Sequence, residues 1–96
     1  MPDQIVPADF ESIPNNQLTL VLGADELPLE IAKISRLPET SVRAEPFSLT
    51  LRHNGASGYL PQGVYTIRHP LRGELQVFTV PIGPDANGML YEIIFN

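Results

Sequence analysis

Proline and glycine are frequent enough in this chain to limit what it can fold into. Ten prolines and seven glycines are spread over 96 residues. Proline removes a backbone hydrogen-bond donor and glycine favours turns, so both interrupt regular structure. No stretch of eleven or more residues keeps a helical pattern of apolar side chains. The sequence therefore predicts short extended segments joined by turns.

Six segments rich in β-branched, leucine and aromatic residues lie between these turns, and each has the length of a strand. They span residues 17–22, 27–34, 47–53, 63–69, 74–81 and 89–95. Six strands with short connections are typical of a meander-rich barrel or a two-layer sandwich. We therefore expect a single all-β domain over residues 1–96, six-stranded and mainly antiparallel, in one of these two forms.

The pattern also predicts how some strands pair. Antiparallel pairing of the third and fourth segments places Leu49 opposite Ile67 and Leu51 opposite Tyr65. Because this puts both apolar sets on the same face, we expect a hairpin there. Pro28 cannot donate to a ladder of hydrogen bonds, so the second segment should lie at a sheet edge or begin late.

The first 16 residues differ from the rest and are interpreted as an arm that packs on the body. Asp9 could cap a single helical turn, with Phe10 and Ile13 three residues apart on the side that faces the body. A helix this short is not stable alone. We expect the arm to plug an open end of the barrel or to cover a sheet face.

Charge and cysteine content exclude several classes of function. The net charge is −5, which argues against a protein that binds nucleic-acid backbones. Residues 1–30 hold six acidic groups and no basic one, a placement that serves solubility or an electrostatic contact with a partner. Without cysteine there is no disulfide and no thiolate ligand. No apolar run approaches about 18 residues, so we expect no membrane span and a cytoplasmic location.

Three segments carry hydrophobic side chains on both faces, which a sheet with one solvated face should not do. In 74–81, Leu75 and Val77 alternate with Phe78 and Val80. Either the arm or residues 35–46 cover the second face, or another chain does. A candidate interaction face is assigned to Val21, Leu75, Val77, Leu90 and Ile94. The leading hypothesis is a non-enzymatic module without a cofactor, which forms a homo-oligomer or docks on a larger protein.

Two other classes of function stay open. A small ligand could bind in the mouth of a barrel, at a rim formed by Tyr59, Tyr65, Arg68 and His69. A small hydrolase would need a nucleophile beside a base, and Ser57 lies four residues from His53 between glycines. The flanking glycines are more typical of a plain hairpin loop than of a catalytic turn. The hydrolase is therefore the weaker of the two alternatives.

Three further titratable residues invite a functional interpretation. His53 and His69 are the only histidines, but the predicted hairpin separates them, so we expect no metal site and a hydrogen-bonded His69 at its strand end. Glu92 interrupts an apolar strand. An inward-facing carboxylate there would need a cation such as Arg52 or Arg68, and a solvent-facing one is the simpler expectation.

A succession of short motifs occupies the second half of the chain. They are EPFSL at 45–49, LPQGVY at 60–65, HPL at 69–71, GEL at 73–75, Phe78, VP at 80–81, YE at 91–92 and FN at 95–96. This succession resembles a small, standalone bacterial domain family of unknown function, and Asp9-Phe10 resembles its opening. The resemblance implies one β-rich domain and transfers no catalytic residue. It also suggests an accessory protein of a phage-tail-like assembly.

Overall fold

The protein folds as a closed barrel of six antiparallel strands. A computed structural model describes residues 5–37, 46–55 and 58–95. The elements are α1 (Ala8–Glu11), a 3-10 turn (Pro14–Asn16), β1 (Gln17–Leu22), β2 (Asp25–Arg36), β3 (Phe47–Asn54), β4 (Gly63–His69), β5 (Gly73–Pro84) and β6 (Gly88–Phe95). The strands follow the order β1-β2-β3-β6-β5-β4, and β4 pairs with β1 to close the barrel. The predicted six-stranded, antiparallel all-β fold is therefore confirmed, as a barrel.

The order of the strands overturns the predicted hairpin between the third and fourth segments. Leu49 of β3 lies opposite Ile93 of β6, whereas Ile67 of β4 lies opposite Leu75 of β5. The expected pairing of Leu49 with Ile67, and of Leu51 with β4, is wrong. Alternation of apolar and polar residues identifies which side chains face inward, but every inward face of a barrel satisfies that pattern. It therefore could not identify the neighbouring strand.

β2 also begins earlier than Pro28 led us to expect. The strand begins at Asp25, and Pro28 lies opposite Thr19 of β1. Pairing of β2 with β3 begins only at Glu30. Pro28 therefore occupies a stretch with a paired strand on one side, where a missing backbone donor is tolerated.

Alternate side chains of the strands fill the barrel with hydrophobic atoms. The buried strand residues that form this core are Leu18, Leu20, Leu29, Ile31, Phe47, Leu49, Leu51, Ile67, Val77 and Ile93. Burial of one such side chain contributes about 1.5–3 kcal/mol to folding. The interior therefore supplies most of the free energy that holds the fold together.

The described part of the N-terminal arm, residues 5–16, closes one end of the barrel. Phe10 of α1 is fully buried, and its ring centroid lies 5.9 Å from that of Phe47 and 5.7 Å from that of Phe95. The ring of His69 meets Phe10 edge-on at 5.2 Å. Ile13 is buried beside this group. The arm thus supplies an aromatic plug to a barrel end that the strands leave open.

Asp9 has a different role from the predicted helix cap. Pro7 occupies the N-cap position of α1, and no side chain caps it by a hydrogen bond. Asp9 lies inside the helix, and its Oδ2 accepts a hydrogen bond from the backbone N–H of Val6 at 2.8 Å. The carboxylate therefore accepts a hydrogen bond from a residue that precedes the helix, and Asp9 does not occupy the N-cap position itself.

In the part of the chain that the structure describes, no helix is long and apolar enough to cross a membrane.

Candidate functional site

His69, one of the four predicted rim residues, is a structural residue at the plugged end. Its ring is buried, and Nε2 lies 2.5 Å from the carbonyl oxygen of Asp9. The other ring nitrogen, Nδ1, accepts hydrogen bonds from the backbone N–H groups of Leu71 and Arg72 at 3.0 and 3.1 Å. Because Nδ1 is an acceptor, the ring proton resides on Nε2, which donates to Asp9. The ring thus fastens α1 to the end of β4.

The other three rim residues lie in different places, so the predicted pocket is not assembled. Arg68 points outward and forms ion pairs with Glu26 at 2.6 Å and Glu74 at 3.7 Å. Tyr65 packs against the core, and its hydroxyl group donates a hydrogen bond to the carbonyl oxygen of Pro61, which precedes β4. Tyr59 is exposed at the end of the barrel opposite α1. The four residues therefore do not form the predicted rim. Of the four, only Tyr59 lines the cavity at the end of the barrel opposite α1.

That opposite end holds an open cavity of about 230 Å³. Besides Gly58, its lining comprises Leu22, Leu27, His53, Tyr59, Leu60 and Tyr91. Tyr91 is almost fully buried, and its phenol oxygen accepts a hydrogen bond from the backbone N–H of Leu60 at 2.8 Å. The two ends of the barrel therefore differ, because one is plugged by aromatic rings and the other is hollow.

The outer surface of β4, β5 and β6 carries a row of exposed hydrophobic side chains. Val64 lies opposite Phe78, and since Thr79 pairs with Ile93, Phe78 and Ile94 are neighbours on the outer surface. These three side chains are 65%, 54% and 52% exposed. We define the outer apolar face as Val64, Phe78, Val80, Ile82, Leu90 and Ile94.

The outer apolar face corrects the interaction face that was predicted from the sequence. Val77 is buried in the core and Leu75 packs against it, so these two residues face the interior. Val21 is partly exposed on β1. Leu90 and Ile94 are on β6 and belong to the outer apolar face. The five predicted residues therefore do not share one surface.

Glu92 lies within the outer apolar face, between Leu90 and Ile94 on β6. Its cross-strand neighbours are Thr50 of β3 and Val80 of β5. It points outward and is partly exposed, because its neighbours Tyr91 and Ile93 point inward. No basic side chain among residues 5–37, 46–55 and 58–95 forms an ion pair with it. Glu92 therefore places a carboxylate without an ion pair among the described residues at the β6 border of the outer apolar face, between Val80 and the polar side chains of β3.

Arg52 forms a network of ion pairs at the border of this face. It donates from Nε and Nη2 to Oδ2 of Asp85, at 2.9 and 2.6 Å, and from Nη1 to Glu30 at 3.0 Å. The hydrogen bond from Arg52, and then those from the backbone N–H groups of Asn87 and Gly88, lower the pKa of Asp85. Hydrogen bonds to Asp85 and then Glu30 raise the pKa of Arg52. Asp85 therefore stays ionised and holds the β5–β6 turn.

Ion pairs inside the chain account for much of the uneven charge distribution along the sequence. Four of the six acidic residues in 1–30 pair with basic residues that come later in the chain. The pairs are Asp9–Arg72, Glu11–Arg36, Glu26–Arg68 and Glu30–Arg52. Much of the acidic charge of residues 1–30 is thus matched by ion pairs within the chain.

The candidate catalytic and metal-binding residues are distributed as follows. His53 and His69 lie at opposite ends of the barrel, at the hollow and the plugged end. Ser57 lies outside the described residues. Within the described ranges, no three of the histidine, aspartate and glutamate side chains are grouped so that they could hold a metal ion.

Comparison with known proteins places this barrel in a family. Residues 5–95 match the model of a domain of unknown function, DUF6916. The chain belongs to the DUF6916 family. A search of curated proteins and a search of solved structures each gave no match. The resemblance deduced from the motifs of residues 45–96 to a small domain family of unknown function is therefore confirmed, and it extends over nearly the whole chain.

Sequence reasoning missed several residues that stand out in this DUF6916 domain. It left Val64 and Phe78 out of the interaction face and did not assign Tyr91 to a cavity. The alternation in β5 separated Phe78 from Val77, but it could not tell which of the two faces points inward. A useful signal was β6, which is apolar apart from Glu92 and whose alternate residues reach both the hollow end and the outer apolar face.

Proposed function

We propose that this DUF6916 domain is a non-enzymatic interaction module that docks on another protein through its outer apolar face. The observation that carries the proposal is the row of Val64, Phe78 and Ile94, exposed on the outside of a barrel that has its own buried hydrophobic core. Solvent-exposed hydrophobic side chains in a contiguous patch are characteristic of binding surfaces.

The size of the face suits a protein partner. Its most exposed members, Val64, Phe78, Ile82 and Ile94, are each about half exposed or more. Together they present on the order of 400 Å² of apolar surface. A standard interface buries about 800 Å² on each side, of which somewhat over half is apolar. The outer apolar face therefore has about the extent of the apolar centre of such an interface.

Charge favours a different protein over a second copy of this chain. In a two-fold contact through this face each copy would add a Glu92 carboxylate to the interface, and each copy carries a net charge of −5. Like charges placed opposite each other in an interface are unfavourable. A lysine or arginine from the partner would instead pair with Glu92. The proposed occupant is thus a segment of another protein with apolar side chains around one basic residue.

Photo-crosslinking in the organism that encodes the chain tests this proposal. The variant Phe78→p-benzoylphenylalanine places a photoreactive ring in the face, and Leu71→p-benzoylphenylalanine places it in the exposed β4–β5 turn as a matched control. We expect one protein adduct from position 78, none from position 71, and loss of the adduct when Ile94→Asp is added. The crosslinked peptide should contain apolar residues and a lysine or arginine.

Two outcomes would overturn the proposal. Equal adducts from positions 78 and 71 would show that the face has no preference over an ordinary exposed turn. An adduct formed only with a second copy of the chain would replace docking by self-association. Sedimentation equilibrium of the purified protein distinguishes the latter directly, because the proposed function predicts a monomer in isolation.

A further inference from the structure

The hollow end of the barrel carries an inference that is independent of the outer apolar face. The cavity there measures about 230 Å³, is mainly apolar, and is lined by Leu22, Leu27 and Leu60 among other residues. An apolar wall with a few polar groups is the usual composition of a small-molecule site. The aromatic plug closes the other end, so a ligand in this cavity would rest on the fixed floor of the core.

Tyr91 provides the first polar group of this cavity. It is 1% exposed, and its hydroxyl oxygen already accepts a hydrogen bond from Leu60. The hydroxyl proton has no acceptor among the described residues. Buried tyrosine hydroxyl groups usually find partners for their donor. Tyr91 therefore offers an unused hydrogen-bond donor at the wall of an apolar cavity.

His53 provides the second polar group. Leu51 lies opposite Tyr91, so His53 is the diagonal neighbour of Tyr91 on the inner surface of the β3–β6 pair. Diagonal neighbours are about 7–8 Å apart, within reach of a ligand that contacts both. The His53 ring is partly exposed and forms no hydrogen bond with any residue the structure describes. It can supply one further donor or acceptor.

We propose that this cavity binds a small, neutral, mainly apolar molecule that presents a carbonyl oxygen to the hydroxyl group of Tyr91. An apolar cavity of about 150 Å³ holds benzene, so this one holds about nine non-hydrogen atoms. Among the described residues that line the cavity there is no lysine or arginine, and the chain carries a net charge of −5, so a neutral ligand is favoured over an anion. A planar carbonyl compound attached to an aromatic or branched aliphatic group fits this description.

Three probes of equal size separate the contributions that a carbonyl group, an apolar body and a negative charge make to binding. Acetophenone, isopropylbenzene and benzoate each have nine non-hydrogen atoms, and they present a neutral carbonyl, no acceptor and an anion respectively. Binding is followed by ¹H–¹⁵N chemical-shift titration up to about 10 mM, since ligands of this size bind in the micromolar to millimolar range. We expect acetophenone to shift the amides of Leu22, Leu27 and Leu60 saturably and to bind more tightly than the other two probes.

Two variants test the role of the Tyr91 hydroxyl group. Tyr91→Phe should weaken acetophenone binding about fivefold and leave isopropylbenzene unchanged, because a single hydrogen bond is lost. Tyr65→Phe is the matched control, since the Tyr65 hydroxyl group is engaged by Pro61 and does not line the cavity. Leu27→Phe fills the cavity and should abolish binding of all three probes while the amide spectrum stays that of a folded barrel.

The proposal is overturned if none of the probes produces saturable shifts at the three leucine amides of the folded wild-type protein. It is also overturned if Tyr91→Phe binds acetophenone as tightly as the wild type does, or if Leu27→Phe retains binding. None of these results depends on the outer apolar face, so they do not bear on the proposed docking function.

Discussion

The imidazole Nε2 of His69 donates a hydrogen bond to the main-chain carbonyl oxygen of Asp9, and this contact joins the last residue of β4 to α1. The same ring accepts two backbone hydrogen bonds from the turn that follows and packs edge-on against Phe10. One buried side chain thus connects the arm, the barrel end and the β4–β5 turn. Stability should depend strongly on this residue.

Replacement of His69 by alanine is expected to lower the free energy of unfolding by about 3 kcal/mol. The substitution removes a buried ring and leaves the backbone groups of Asp9, Leu71 and Arg72 without their hydrogen-bond partner. Urea denaturation measures the change. His53→Ala is the control, and it should cost less than about 1 kcal/mol because its ring is partly exposed. Equal losses in the two variants would contradict the assigned role.

The two phenylalanines at positions 10 and 78 provide a second comparison. Phe10 is fully buried in the plug, whereas Phe78 is 54% exposed on the outer apolar face. Phe10→Ala should lower the free energy of unfolding by about 4 kcal/mol, because a cavity is left in the aromatic group. Phe78→Ala should cost about 1 kcal/mol or less. A large loss from Phe78→Ala would mean that this ring supports the fold of the barrel.

The ion pair between Arg52 and Asp85 predicts a dependence of stability on pH. Because the pKa of Asp85 is lowered in the folded state, its contribution is present above the unfolded pKa and is lost as the pH falls through the folded pKa. Asp85→Asn should therefore be less stable than the wild type at pH 7, and the gap should close below about pH 4. Thermal unfolding of both proteins at several pH values measures this difference in stability. A gap of constant size down to about pH 2 would contradict the assignment.

Gly88 is required for the close approach of β3 and β6. A Cβ atom at this position would overlap the carbonyl oxygen of His53 and lie 2.9 Å from the Cα of Asn54. Gly88→Ala is therefore expected to cost at least about 2 kcal/mol of unfolding free energy. Gly58→Ala meets no atom within 4 Å and should be close to neutral. Chemical denaturation of both variants checks this, and comparable stabilities would show that the strands can separate at Gly88.

Much of the fold could be predicted from local features of the sequence. Proline and glycine spacing located all six strands, and alternation identified inward residues such as Leu49 and Ile67. The three-residue spacing of Phe10 and Ile13 indicated an arm that packs on the body. Strand neighbours could not be predicted, because β3 and β6 meet through contacts about 40 residues apart in sequence, and alternation does not encode such pairs.

The candidate site was less predictable than the fold. The sequence indicated that some strands had surplus hydrophobic side chains, and Ile94 is indeed exposed. It wrongly placed Val77 on the same face as Ile94. Closure of the barrel decides which side of β5 is interior, and the alternation along a single strand does not show this. The roles of His69 and Tyr91 depend on bonds to Asp9 and Leu60, which are distant in sequence. Such contacts follow from tertiary structure alone.

Binding of the crosslinked partner segment to the purified protein tests the docking function most directly. The segment identified at position 78 is prepared as a labelled peptide and titrated with the wild type, with Phe78→Ser and with Leu71→Ser. The account predicts that Phe78→Ser raises the Kd at least about tenfold, whereas Leu71→Ser leaves it within about twofold. Equal affinities of the wild type and Phe78→Ser would contradict the outer apolar face as the binding surface.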